Sequence, residues 1–296
     1  MLINNLRIFL MIAEKGSMVA AGREAGLSPT SVSERLAALE AHYGVVLFNR
    51  TTRSLNLTDE GRTLIAGAKA VLAEVEELDA RIRHGAETLS GPIRVSAPVD
   101  LGRSIISEVV AAFTRQHPAI SVELSLSDGY VDIVGEGYDI ALRFGTVTDS
   151  SLRTRGLGQH RRIVCSAPSY LDAHGTPREP ADLVGHNCLV MRFGRTLDNV
   201  WRFGVGKNSQ TVTVHGDMIV NDGFLVRQWA LAGHGIILKS ELDVADDLKS
   251  GKLVALLEGH ASPPNPLQMM FPPGRAQPRR VRVFAKEIGA AMSRKC

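Results

Sequence analysis

The sequence predicts a mixed α/β protein in which a small helical module and one long helix precede two strand-and-helix lobes. Three observations predict it. In "AAGREAGLSPTSVSERLAALE" (Ala20 to Glu40), two short apolar-periodic runs are broken by Gly-Leu-Ser-Pro where one longer helix would have fitted. From Leu64 to Ile82, apolar residues recur every three or four positions, as in a helix that pairs with another helix. Beyond Gly91, short apolar runs alternate with helical ones, a texture that argues for open, largely parallel sheets. At 296 residues the chain suggests about two domains.

Composition narrows the class. Apolar residues make up 44% and charged residues 22%, which suits an ordinary protein with a sizeable core. A net charge of +3 is too small to indicate nucleic acid or a membrane by itself. Cys165, Cys188 and Cys296 are odd in number and unpatterned, so a disulfide framework is not expected and a reducing cytoplasm fits. In "MLINNLRIFLMIAEKGS", Leu6, Phe9, Leu10 and Ala13 have helical spacing, and Glu14-Lys15 interrupts the apolar run. That is a core helix rather than a signal peptide. No run approaches the roughly 18 apolar residues of a membrane span. A cytoplasmic protein without a membrane segment is expected.

The first elements follow from local signals. Ser17 is suited to cap a helix over Met18–Ala25, and Gly26 supplies a turn at positive φ. Ser28 then caps a second helix, with Pro29 at its first position, where a missing N–H costs nothing. That helix runs to about Tyr43, and Gly44 stops it. Val32, Leu36 and Leu39 share its inner face, whereas Thr30, Ser31, Ser33, Glu34 and Arg35 surround the outer, N-terminal part. Ala21 and Gly22 are small enough for the two helices to cross closely. This is the anatomy of a helix-turn-helix, whose second helix enters the major groove with its N-terminal residues at the base edges. Short hydroxyls there can bond bases or phosphates. The following "LFNRTTRSLNL" reads as a strand pair, a wing from which Arg50, Thr51 and Arg53 would reach the DNA backbone or minor groove. Residues 1–60 hold six basic and six acidic side chains. Charge therefore leaves open a helical hairpin that merely dimerises a solute-binding or enzymatic α/β protein.

Thr58 opens the long helix, with Asp59 and Glu60 in its positive first turn. Leu64, Ala68, Val71, Val75, Leu78 and Ile82 form its stripe, which serves either a partner helix or the helix's own domain. Gly85, Ser90, Gly91 and Pro92 mark a linker. "IRVSAP" is then a strand, "LGRSIISEVVAAFTRQHP" a helix, "ISVELSLS" a strand, "YVDIVGEG" a short helix and "YDIALRFG" a strand. A second set follows: "RRIVCSAP", the helix around "SYLDAHG", "CLVMRF", "TVTVHGDMIV", the helix in "DGFLVRQWALAGHG", and "GIILKS". "PLQMMF" and an amphipathic "VRVFAKEIGAAM" close the chain. Two such lobes leave a cleft, the usual place for a small ligand.

The segment from Phe9 to Gly61 strongly resembles the winged helix-turn-helix of the LysR-type transcriptional regulators. Matching positions are Phe9, Ser17, Ala21, Ser28, Val32, Ser33, Leu39-Glu40, Gly44, Leu47-Phe48, Arg50, Leu57-Thr58 and Gly61. The rest of the chain is similar to that family's plan of a linker helix and a two-lobed, periplasmic-binding-protein-like domain. The resemblance thus divides the chain into a DNA-binding domain (1–58), a linker and dimerisation helix with a hinge (59–89), and an effector-binding domain (90–296). Within the last, one lobe comprises about 90–161 plus 268–296 and the other about 162–267. It implies a DNA-binding regulator rather than an enzyme, controlled by a small molecule held between the lobes. Double-stranded promoter DNA would be read by Ser28, Pro29, Thr30, Ser31, Ser33, Glu34, Arg35, Arg50, Thr51 and Arg53. Pro29 and Glu34 stand where the family often has Gln and Arg, so an operator cannot be carried over from relatives.

For the effector, the resemblance points to Ser96, Pro98, Val99, Ser127, Asp128, Arg143 and Phe144 in one lobe. From the other it points to Arg192, Phe193, Asn221, Asp222 and Gly223. A helix N-terminus with free N–H groups, serines and an arginine suits an anion, although Asp100 and Asp128 near the same mouth leave a neutral or mixed-charge effector open. The resemblance also implies self-association, a dimer through the linker helix and a tetramer of two dimers, with RNA polymerase a further candidate partner. No cofactor or metal is expected. "GVGKN" lacks the residues of a phosphate loop, and His186, Cys188 and Cys165 lack a fourth ligand at suitable spacing.

Overall fold

A computed structural model describes residues 1–50, 55–84, 88–145, 151–204, 209–260, 262–273 and 277–295. Three helices open the chain: α1 (Leu2–Lys15), α2 (Met18–Ala25) and α3 (Pro29–Tyr43). Their ends lie where the local chemistry puts them. The Ser17 side chain accepts from the Ala20 N–H, Gly26 sits at φ 65°, the Ser28 side chain accepts from the Ser31 N–H, and Gly44 closes α3 at φ 68°. Gly22 is where α2 meets the turn and α3. A Cβ there would stand 2.9 Å from the Leu27 carbonyl oxygen and 3.1 Å from Val32 Cγ2. Strands β1 (Phe48–Arg50) and β2 (Leu55–Leu57) pair antiparallel as the base of the wing. Leu6, Phe9, Ile12, Val32, Leu36, Leu39 and Phe48 form the module's core.

The long helix α4 (Asp59–His84) starts at Thr58, whose Oγ1 accepts from the Gly61 N–H at 2.9 Å and donates to the Val46 carbonyl at 2.8 Å. Its apolar residues divide into two sets. Ile65, Ala68 and Leu72 are buried in the N-terminal module's core. Val71, Leu78 and Ile82 are exposed, Ile82 at 74%. Of the expected stripe, Leu64 and Ala68 thus serve the helix's own domain, whereas Val71, Leu78 and Ile82 are left uncovered by the described residues. The 3.5-residue spacing hid the split, because one stripe rotates slowly around a 3.6-residue helix and faces two different neighbours along 26 residues.

The first lobe is built on β3 (Gly91–Ala97), β4 (Ile120–Leu126), β5 (Ile140–Phe144), β6 (Arg153–His160) and β15 (Asn265–Phe271), in the order β4-β3-β5-β15-β6. β3 runs parallel to β4 and β5, but β15 is antiparallel to β5 and β6, so the sheet is mixed rather than largely parallel. Between β3 and β4 the chain is one continuous helical stretch: α5 (Val99–Leu101), a π-turn at Gly102–Ile106, and α6 (Ser107–Gln116). α6 packs with the C-terminal helix α10 (Arg279–Lys295) on one sheet face, Phe113 and Phe284 having ring centroids 4.9 Å apart. The expected helix in "YVDIVGEG" is instead a run of turns, in which the Asp132 carboxylate accepts the Gly135 N–H.

The second lobe holds β7 (Arg162–Ser166), α7 (Pro168–His174), β8 (Val190–Phe193), β9 (Thr196–Leu197), β10 (Val200–Phe203), β11 (Gln210–Thr213), β12 (Ile219–Val220), α8 (Gly223–Leu231), β13 (Ile237–Ser240), α9 (Glu241–Lys249) and β14 (Val254–Leu256). β7 is flanked antiparallel by β13 and β14, β8 lies between β12 and β9, and β10 pairs with β11. "TVTVHGDMIV" accordingly makes two short strands in different sheets. The chain passes between lobes at Arg161 and again between β14 and β15. β15 belongs to the first lobe's sheet from Asn265, ahead of the expected boundary at 268. Among the described residues, no helix is long and apolar enough to cross a membrane.

Candidate functional site

Two surfaces carry functional chemistry. On α3, Ser28, Pro29, Thr30 and Glu34 are exposed, and Ser31, Ser33 and Arg35 are partly so. Ser28 and Ser31 also bond each other, their hydroxyls 3.0 Å apart. Among the described residues no carboxylate forms an ion pair with Arg7, Arg23 or Arg35, whereas Lys15 is held by Glu24 at 2.8 Å. Arg50 closes β1 beside Leu55. Thr51, Arg53 and the Arg50 side chain lie outside what the structure describes.

Between the lobes is a cavity of about 280 Å³. Of the residues expected there, Pro98, Asp128, Arg143, Phe144 and Phe193 line it. Ser96, Val99, Ser127, Arg192, Asn221, Asp222 and Gly223 are not among its walls. Three of them have side-chain bonds within the protein. Ser96 is fully buried and its hydroxyl accepts from Arg143 Nη2 at 2.8 Å. Ser127 accepts from the Gly129 N–H, and Asp222 caps α8 by accepting from the Leu225 N–H.

At each of the two helix N-termini expected to receive an anion, one N–H is taken by a side chain of the protein itself. Asp128 spans them: Oδ1 accepts from the Val99 N–H at 3.0 Å in the first lobe, and Oδ2 accepts from the Gly223 N–H at 2.6 Å in the second. One carboxylate thus accepts a single N–H from each of two facing helices and joins the lobes.

A buried charge cluster continues this contact. Lys239 Nζ lies 2.7 Å from Asp100 Oδ2 and 3.0 Å from Asp243 Oδ2, all three side chains being less than a tenth exposed. Arg227 sits 3.8 Å from Asp100 and bonds Asp247 at 2.5 Å. Burial works against the Lys239 charge, but Asp243 and Asp100 outweigh it and its pKa is raised. Burial lifts the Asp243 carboxyl above its usual range, and Lys239, which it shares with Asp100, does not fully offset that. Gly223 lies in the middle of the cluster. A Cβ there would be 2.7 Å from Lys239 Nζ and 2.9 Å from Asp128 Oδ2, so only glycine fits. Arg103 also stacks over Phe224, 4.3 Å from the ring centroid, across the same seam.

Apart from Phe193, sequence reasoning missed the second lobe's contribution to the cavity: Arg162, Met191, Asp198, Leu238, Lys239, Ser240 and Asp243, together with Asn265. One signal was available, a lysine at the end of the apolar strand run "GIILKS". Cys165 and Cys188 are buried and free, and burial pushes both thiols up to about 12.

Residues 3–62 match the family described as bacterial regulatory helix-turn-helix protein, lysR family, and residues 86–293 match the LysR substrate binding domain. The HTH-type transcriptional regulator PtxR of Pseudomonas aeruginosa is 33% identical over 297 aligned residues, covering 99% of this chain and 93% of that protein. DmlR of Escherichia coli is 32% identical over 264 residues, covering 89% of this chain and 86% of its own. Among solved structures, CrgA, a LysR-type transcriptional regulator from Neisseria meningitidis, aligns over 98% of both chains with a TM-score of 0.64 and 30% identity. Full-length LysG from Corynebacterium glutamicum, solved with its effector Arg, shares the fold at a TM-score of 0.71 and 22% identity.

Proposed function

The chain belongs to the LysR family of bacterial transcriptional regulators, and from that premise we propose that it reads promoter DNA with α3 and the wing under control of a small molecule seated between its lobes. It is a regulator rather than an enzyme. The observation that carries the effector assignment is the 280 Å³ cavity, walled by both lobes, so that occupancy and lobe arrangement are coupled. A ligand shifts that arrangement only through unequal affinity for the two states.

At the DNA end, the exposed Ser28, Thr30 and Ser33 region supplies short donors and acceptors for base edges, and Arg7, Arg23, Arg35, Arg50 and Arg53 supply phosphate contacts. Two chains pair through the exposed α4 stripe of Val71, Leu78 and Ile82, which a lone protomer leaves in water. Pairing sets two recognition helices on successive half-sites about one helical turn apart. Two such dimers make a tetramer. The protein works in the cytoplasm, where promoter DNA lies, and RNA polymerase is the partner through which output would change.

A mobility shift on the DNA upstream of the protein's own gene, run across a salt series, tests the reading. Specific binding that weakens as salt rises is expected. Absence of specific binding, with and without candidate effectors, would remove it.

A further inference from the structure

We propose that the inter-lobe cavity selects a monoanionic carboxylate with an apolar body, with Arg143 receiving the carboxylate and Asp128 excluding a second anionic group. This rests on the cavity being the effector site and adds the ligand's class.

The charges of the cavity wall decide it. Three cations line it, Arg143, Arg162 and Lys239, and two of them are committed. Arg162 is paired with Asp198 and also donates to the Leu238 carbonyl. Lys239 is held between Asp100 and Asp243. Arg143 differs. Its Nη2 donates to the Ser96 hydroxyl and its Nη1 to the Leu142 carbonyl, both neutral acceptors, and among the described residues no carboxylate lies within ion-pair distance. Its Nε is buried with no partner, and so is the hydroxyl of Ser240, a residue 6% exposed on the same wall.

A half-buried cation with no ion-pair partner and a buried orphan hydroxyl are costly unless a ligand completes them. A carboxylate does so with charge-assisted bonds. Phe144, Met191, Phe193 and Leu238 then surround the remainder of the ligand, which must be apolar. Among the described residues of the wall, a second carboxylate meets no second uncommitted cation. The N–H groups of Val99 and Gly223 are filled by Asp128, whose own charge repels it. Burial lowers the Arg143 pKa, with Asp128 the first group to oppose that shift.

The test is calorimetric titration of the full chain with three probes of equal carbon count: hexanoate, hexanamide and adipate. Hexanoate is expected to bind at least about tenfold more tightly than either of the others. Arg143→Met should erase the preference for hexanoate over hexanamide, and Asp128→Asn should narrow the gap between hexanoate and adipate. Should Arg143→Met fail to fold, the ranking of the three probes on the wild-type protein decides alone. Phe193→Ala locates the probe. If it leaves hexanoate binding unchanged, the ligand sits elsewhere and the cavity reading itself falls. If it weakens hexanoate, yet hexanamide or adipate binds the wild type equally well, only the monoanion inference falls. Hexanoate that does not bind the wild type at all, or binds Arg143→Met undiminished, also overturns it.

Discussion

The outer face of α3 and the cavity between the lobes are both polar, yet they manage charge in opposite ways. Around α3, Arg7, Arg23 and Arg35 are exposed or partly exposed and form no ion pair among the described residues. Between the lobes, Lys239, Arg227 and Arg162 are each tied to a carboxylate, and of the cations on the cavity wall Arg143 has no ion-pair partner among the described residues. The difference follows from solvent. An exposed cation is hydrated and can wait for a phosphate at little cost. A buried one must be compensated within the fold or by a ligand. The DNA-facing surface is therefore open by construction, and the cavity is closed everywhere except at the place where something is meant to bind.

The sharpest way to break this contrast is to remove the cation at the seam. Lys239→Met leaves Asp243 buried without its cation and Asp100 with only Arg227 at 3.8 Å, and the loss should be roughly 3–5 kcal/mol. The expected result is a large fall in melting temperature of the full chain. An unchanged melting curve would mean that water reaches the cluster and that the two regions are not so different after all.

How well each region reads from sequence follows the same division. The first three helices were legible because their ends are written locally: Ser17 and Ser28 cap, Pro29 starts, Gly26 and Gly44 stop. The seam was not. Asp100, Asp128, Arg227, Lys239 and Asp243 come from four separate elements and a loop, and nothing in the neighbourhood of any one of them announces the others. The resemblance directed attention to the α8 N-terminus, which is indeed at the seam, but could not reveal that Asp128 fills it. Two further elements carry little local signal. β6 contains Gly156 and Gly158 and its residues are mostly exposed, so it lacks a strand's alternation. α9 is short and acidic, with Val244 its main buried apolar anchor.

A paired glycine experiment on α4 separates steric need from helix propensity in the module that presents α3. At Gly61 a Cβ would lie 2.3 Å from the Leu47 carbonyl oxygen, whereas at Gly67 nothing lies within 4 Å. Gly61→Ala should therefore destabilise the module by roughly 1–3 kcal/mol, and Gly67→Ala should stabilise it by about 1 kcal/mol or less. Chemical denaturation of the two variants measures both signs. Equal effects would show that α4 does not sit against the base of the wing as described.

A smaller effect is expected from Arg35→Ala, which touches no core. Specific binding should weaken across sequences, and the slope of log affinity against log salt should flatten by about one unit. Thr30→Ala should instead alter base preference with the salt slope kept. If Arg35→Ala leaves the slope unchanged, its guanidinium makes no phosphate contact, and the open-charge description of this face loses one of its members.

The smallest expected effect is none, and it concerns the two thiols behind the cavity. Cys165 pairs in register with Ile237 on β13, two residues from Lys239, and Cys188 bridges to Ile236, so both sit in the second lobe's interior. With thiols pushed up to about 12, only about one in ten thousand is thiolate at pH 8. Ellman's reagent should leave Cys165 and Cys188 unmodified in the folded chain and react with them once denaturant is added. A mass-spectrometric adduct on either residue under native conditions would mean that the lobe opens far enough to admit a bulky oxidant. The same opening would expose Lys239 and Asp100 to water, and the charges at the seam would then need no ligand and no partner to be tolerated.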